Sequence, residues 1–177
     1  MIFEDLKFPN RYKAFRKALG SWLTLFSWQV FVTLTFAYRV SEGQADREFR
    51  TLIDRLERYH RAPIGWIRGD EYRWSGCGMP AIARHYHALL CSDVRLNPLK
   101  VGSEWRDLGH FGRNVDVRKY DPGRWATEYC VKFVGEPGGD WKLSNNLGLF
   151  APTANGEGNH RMRRRWLRHQ QRVARAE

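Results

Sequence analysis

The stretch ARHYHALL, residues 83–90, decides how the rest of the chain is read. Successive side chains of a strand point to opposite faces, so His85 and His87 project from the same face. Ala81, Ala83 and Leu89 share that face, and Ile82, Arg84, Tyr86, Ala88 and Leu90 take the other. Two imidazoles side by side on small-residue ground suit one divalent ion. On its own the pair suits a polar patch on an edge strand equally well, so the flanking segments carry the decision.

Immediately upstream, Ile64 to Trp74 and a turn rich in Gly76, Gly78 and Pro80 read as the partner strand of a hairpin. That strand offers two carboxylates, Asp70 and Glu71, and the long turn leaves open which of them lies level with the histidines. Two neutral imidazoles and one carboxylate, with open positions, suit Mn²⁺ or Mg²⁺ acting as a Lewis acid on a phosphate. Before the hairpin, Phe49, Leu52, Ile53, Leu56 and Tyr59 recur at helical spacing, which predicts an amphipathic helix from about Gln44 to Arg61, stopped by Pro63.

The segment Ala18 to Tyr38 has no charged residue, long enough to raise a membrane span. Its polar content (Ser21, Thr24, Ser27, Gln29) and the β-branched, aromatic VFVTLTF instead predict a helix end running into a buried strand, Val30 to Phe36. Val32, Leu34 and Phe36 then face one layer, and Phe31, Thr33 and Thr35 the other. The first helix is expected from an Asn10 cap to between Trp22 and Trp28.

Downstream, Val94 to Leu108 reads as mostly helical, broken near Pro98 and ended by Gly109, and Gly112 to Tyr120 as a strand. Asp121 and Pro122 open a helix through RWATEYCVKFV to Gly135. PGGDWKLSNN reads as a loop and Leu147 to Phe150 as a last short strand. The order of elements predicts an α+β domain over residues 1–157, an antiparallel sheet with helices packed against one face, followed by a basic tail over 158–177. A doubly wound parallel sheet is excluded by the hairpin, which breaks regular alternation.

Charge narrows the partner. The 30 Lys and Arg against 19 Asp and Glu leave a formal net charge of +11, which favours a polyanion, nucleic acid ahead of a membrane surface. Among the eight tryptophans most belong to the core, and some can serve as platforms for unpaired bases. The three cysteines, Cys77, Cys91 and Cys130, form no metal or disulfide spacing, so a reducing cytoplasm is expected. Glu4 and Asp5 stand where a signal peptide is basic.

Tyr129 and Lys132 are three apart on a predicted helix and so lie on one side of it. A tyrosine beside a cation can attack a phosphodiester, with the ammonium stabilising the charge that develops. In chain order FVTLTF, RHYHALL and ATEYCVKFV, with EWRDLGHFGRNVDV between the last two, resemble the HUH endonucleases, and among them the single-tyrosine rolling-circle replication initiators of plasmids and phages. The likeness spans about Gln29 to Val134. It implies a ferredoxin-like palm, His85 and His87 as metal ligands with Glu71 ahead of Asp70 as the third, Tyr129 as nucleophile and Lys132 as its cationic partner. It implies as well a divalent ion, Mn²⁺ or Mg²⁺, and single-stranded DNA in a bacterial cytoplasm, with no membrane and no small-molecule cofactor. Phosphate contacts are expected from Arg84, Arg124 and the tail arginines Arg163, Arg164 and Arg165.

No Walker loop occurs, so strand separation falls to a host helicase. The tyrosine lies C-terminal to the histidines, opposite to the order in conjugative relaxases and shared with compact single-tyrosine transposases. Two alternatives therefore stand beside the initiator: a transposase of a mobile element, and a basic module that binds nucleic acid without cleaving it.

Overall fold

The computed structural model describes residues 9–38, 40–71, 84–110, 115–124, 126–132 and 139–151. Its strands are β1 (Val30–Thr35), β2 (Gly65–Glu71), β3 (His85–Cys91), β4 (Asp116–Lys119) and β5 (Gly139–Leu143). They form one sheet in the order β4-β1-β3-β2-β5, with every neighbouring pair antiparallel. The helices are α1 (Pro9–Leu23), α2 (Glu42–His60), α3 (Pro98–Asp107) and α4 (Ala126–Val131). The chain is thus α+β, an antiparallel sheet with helices against it, consistent with a ferredoxin-like palm. β1 and β2 both run antiparallel to β3, which lies between them, and α2 makes the crossover that joins them.

Helices cover both faces of the sheet, where the sequence pattern predicted one. The reason is that the central strands are apolar along one face and, at one end, on the other face as well. Val30, Val32 and Leu34 of β1, with Tyr86, Ala88 and Leu90 of β3, pack on Phe49, Leu52, Ile53 and Leu56 of α2 and on Val101 and Trp105 of α3. On the opposite face Ile67, Leu89 and Cys91 pack against Leu19 and Leu23 of α1 and Ala126, Cys130 and Val131 of α4. Each fully buried Leu or Phe in these layers contributes about 1.5–3 kcal/mol, so a strand with two apolar rows is stable only when sandwiched.

Local chemistry sets the ends of the elements. Ser41 caps α2, its side chain accepting from the Gln44 N–H, and Arg61 closes that helix in the left-handed region at φ 52°. Gly109, at φ +95°, ends α3 where a side chain would be strained. Pro98 is the first residue of α3, with Asn97 as its cap, rather than a break within it. Asn10 lies inside α1, which starts at Pro9 and stops at Leu23, short of Trp28. Trp28 then donates its indole N–H to the Leu23 carbonyl at 2.7 Å. Tyr59, expected on the apolar face of α2, is 54% exposed at the end of the helix, with Lys100 Nζ 4.9 Å from its ring.

The C-terminal third departs most from expectation. Asp121 accepts from the Gly123 N–H, Pro122–Arg124 is a 3-10 turn, and α4 has six residues rather than a long helix. The stretch read as a loop contains β5, an edge strand on β2, and Leu147–Phe150, read as a strand, is a 3-10 turn with Leu147 and Leu149 buried. Gly and Pro flank β5, and its strand character comes from pairing with β2 rather than from propensity. Among the described residues no helix is long and apolar enough to cross a membrane. Cys91 and Cys130 are free and buried. The turn at 72–83, Cys77 and the tail at 158–177 lie outside the described residues, as do residues 133–138, over which the last predicted helix was to end.

Candidate metal and tyrosine site

The sheet register assembles the site. One row of side chains crosses it as Asp116 on β4, Thr33 on β1, His87 on β3, Gly69 on β2 and Trp141 on β5. The next row places Thr35, His85 and Glu71 side by side. Alternation then sends Glu71 to the face of the histidines and Asp70 to the opposite one. The Oε2 atom of Glu71 lies 2.8 Å from His85 Nε2 and 3.2 Å from His87 Nε2. One ligand atom from each of the three residues lies within 4.8 Å of the other two.

The electrostatics of this trio suit a cation. Burial pushes the His87 imidazolium down to about 4, helped by the charges of His85 and Lys132 and opposed by Glu71, so the ring is neutral near pH 7. Burial alone would raise the Glu71 carboxyl. The hydrogen bond from His87 and the charge and hydrogen bond of His85 outweigh it and hold the group below its ordinary value. A carboxylate oxygen and two imidazole nitrogens converging on one point are a donor set that fits Mn²⁺ or Mg²⁺.

Tyr129 stands over this site. Its ring meets His87 edge-on at 4.6 Å and Phe31 edge-on at 6.3 Å, and it is 42% exposed. The Phe31 ring lies parallel to that of His87 at 6.3 Å, so two aromatic rings that also meet each other border the imidazole. Lys132 Nζ lies 5.2 Å from the Tyr129 ring centroid, a cation–π distance. What brings α4 this close is Gly69, where an added Cβ would sit 2.1 Å from the Cys130 carbonyl oxygen. The helix backbone therefore rests directly on the sheet beside His87.

A cleft of about 640 Å³ opens next to Tyr129, between β4 and the start of α4. Phe31, Thr33 and Tyr129 border it on the side of the histidines, and Arg118, Lys119 and Tyr120 on the far side. Its size suits a nucleotide.

Asp70 serves the other face. It accepts from Arg84 Nη1 at 3.2 Å and lies near buried Arg68, whose guanidinium covers the Tyr86 ring at 4.0 Å and pairs with Asp46. Burial raises the Asp70 carboxyl to about 6, against the pull of Arg84 and Arg68. Arg84, a candidate phosphate contact, is thus turned from the histidine face and paired with Asp70. The backbone of Arg124 closes the 3-10 turn, and the Arg124 side chain and Arg163, Arg164 and Arg165 lie outside what is described. Two residues of the EWRDLGH segment belong to the core: Trp105 is fully buried and stacks on buried His110 at 4.3 Å, and His110 pairs with Glu48 of α2.

Sequence reading passed over Gly69 and Thr33. A glycine inside a strand is the available signal for the first, because it marks a close backbone approach. Thr33 carries no such mark. Searches against protein-family models, curated proteins and solved structures return no match to this chain.

Proposed function

We propose that this protein nicks and rejoins single-stranded DNA by tyrosine transesterification, in the manner of a rolling-circle replication initiator. The observation that carries the reading is the meeting of Tyr129 with His87, at 4.6 Å, above a sheet face where His85 and Glu71 complete a ligand set. His85, His87 and Glu71 would hold a divalent ion, which when bound would supply Lewis-acid polarisation of the scissile phosphate. Tyr129 Oη attacks phosphorus, the bond from phosphorus to the 3′ oxygen breaks, and that oxygen leaves as a 3′-OH with the tyrosine's proton. The 5′ phosphate stays esterified to Tyr129. Lys132, beside the ring, stabilises the negative charge that develops on the phenol oxygen and the phosphate. Because the ester keeps the energy of the broken bond, attack by a 3′-OH on the phosphotyrosine reverses the step and joins ends. Lys119, which lines the cleft, offers charge to a flanking phosphate, while Arg118 beside it is paired with Asp116.

The test is incubation with randomised single-stranded oligonucleotides and Mn²⁺, followed by denaturing electrophoresis and mapping of any adduct. The wild-type protein is expected to form a covalent adduct, and Tyr129→Phe to form none while still binding DNA. An adduct on Tyr120 would move the nucleophile. Binding without any adduct in the wild-type protein would leave the chain as a module that holds nucleic acid without cutting it.

A further inference from the structure

We propose that Thr33 is a positioning residue for the ion site, its hydroxyl being the two-way partner that lets His87 exchange tautomers as an ion enters. The inference rests on reading Glu71, His85 and His87 as that ion site.

Thr33 and His87 are directly opposite across β1 and β3, with Thr33 Oγ1 3.1 Å from His87 Nδ1. The other ring nitrogen, Nε2, is 3.2 Å from Glu71 Oε2. An ionised carboxylate only accepts hydrogen bonds, so the single ring proton sits on Nε2 and points at Glu71. Nδ1 is then bare, and the Thr33 O–H donates to it. Once Nε2 gives its lone pair to an ion, the ring proton belongs on Nδ1. The same contact must then run the other way, with Nδ1–H donating to Thr33 Oγ1.

A hydroxyl satisfies both arrangements by rotating, since it carries one donor and two acceptor lone pairs. A methyl satisfies neither. In Thr33→Val the methyl takes the place of the hydroxyl beside Nδ1 of His87, which is only 3% exposed. Partners of this kind fix the orientation and basicity of a ligating imidazole, and losing one typically weakens metal affinity about 10–100-fold.

Calorimetric titration of the full chain with Mn²⁺ separates the outcomes. Thr33→Val, which keeps the shape, is expected to bind Mn²⁺ about 10–100-fold more weakly, and Thr33→Ser, which keeps the hydroxyl, to bind as the wild type does. Both variants are titrated below their melting temperatures, ion-free Thr33→Val being expected to melt lower than the wild type because buried Nδ1 loses its partner. Nitrogen NMR of the His87 ring should show the proton on Nε2 without ion and on Nδ1 with Mg²⁺. Wild-type affinity in Thr33→Val, or a ring proton on the same nitrogen in both states, overturns the inference and leaves the ion site standing. Absence of Mn²⁺ binding in the wild-type protein overturns the ion site and the inference together.

Discussion

Asp70 and Glu71 are neighbours in the chain with opposite tasks. Glu71 faces the two histidines, and Asp70 faces Arg84 and the buried Arg68 on the α2 side. Their conservative substitutions therefore separate cleanly. Glu71→Gln removes the ionised ligand and is expected to reduce Mn²⁺ affinity by more than the roughly 10–100-fold that an outer partner commands. Asp70→Asn is expected to leave Mn²⁺ affinity unchanged and to lower stability by about 1–3 kcal/mol, because two arginines lose a carboxylate in a buried setting. Calorimetry and urea unfolding of the two variants check this. Loss of ion binding confined to Asp70→Asn would mean that Asp70 is the ligand.

At the scale of elements, the contact of α4 with β2 controls the site. α4 is short, and its position over the sheet depends on Gly69, the one residue type that leaves room for the Cys130 carbonyl. Gly69→Ala forces the helix away from the sheet and carries Tyr129 with it. A displacement of about 1 Å in a reacting group costs on the order of 10²-fold in rate, so DNA cleavage is expected to fall by that factor. Ion binding should persist, since His85, His87 and Glu71 sit on β2 and β3 rather than on α4. Adduct yield measured beside Mn²⁺ affinity tests this, and full cleavage activity in Gly69→Ala would show that the approach of α4 does not set the position of Tyr129.

Over the whole molecule, Glu57 ties the connection between α2 and β2 to the C-terminal 3-10 turn. At the end of α2, its Oε1 accepts from the Ile64 N–H at 2.9 Å, just before β2, and from Asn146 Nδ2 at 3.4 Å, beside the C-terminal 3-10 turn. Burial, with the charge of Asp54, raises the Glu57 carboxyl above its ordinary value despite those two donors. A carboxyl raised in the folded state contributes stability that is fully present below its unfolded value, near about 4.3, and is lost as pH rises through the folded value. Glu57→Gln keeps an oxygen for both donors and removes the ionisation. The variant is expected to match or exceed the wild type at pH 7 and to show a flatter stability profile between pH 4 and 8 in urea unfolding. Parallel profiles for the two proteins would show that Glu57 does not govern this pH range.

Periodicity, which is local, was readable from the sequence alone. The alternation in FVTLTF and RHYHALL announced β1 and β3, and the spacing of Phe49, Leu52, Ile53 and Leu56 announced α2. The pairing of His85 with His87 on one face follows from the two-residue repeat of a strand and needs no partner. What partner each residue meets is non-local, and only the tertiary structure decided it. Register chose Glu71 over Asp70 as the residue beside His85, because a slip of one residue would exchange the two faces of β2. Packing on both faces of β1 and β3 set α1 and α4 against one side and α2 and α3 against the other. β5 is a strand because β2 has an open edge for it to pair with, and α4 reaches His87 because Gly69 on a separate strand has no side chain to hold it off.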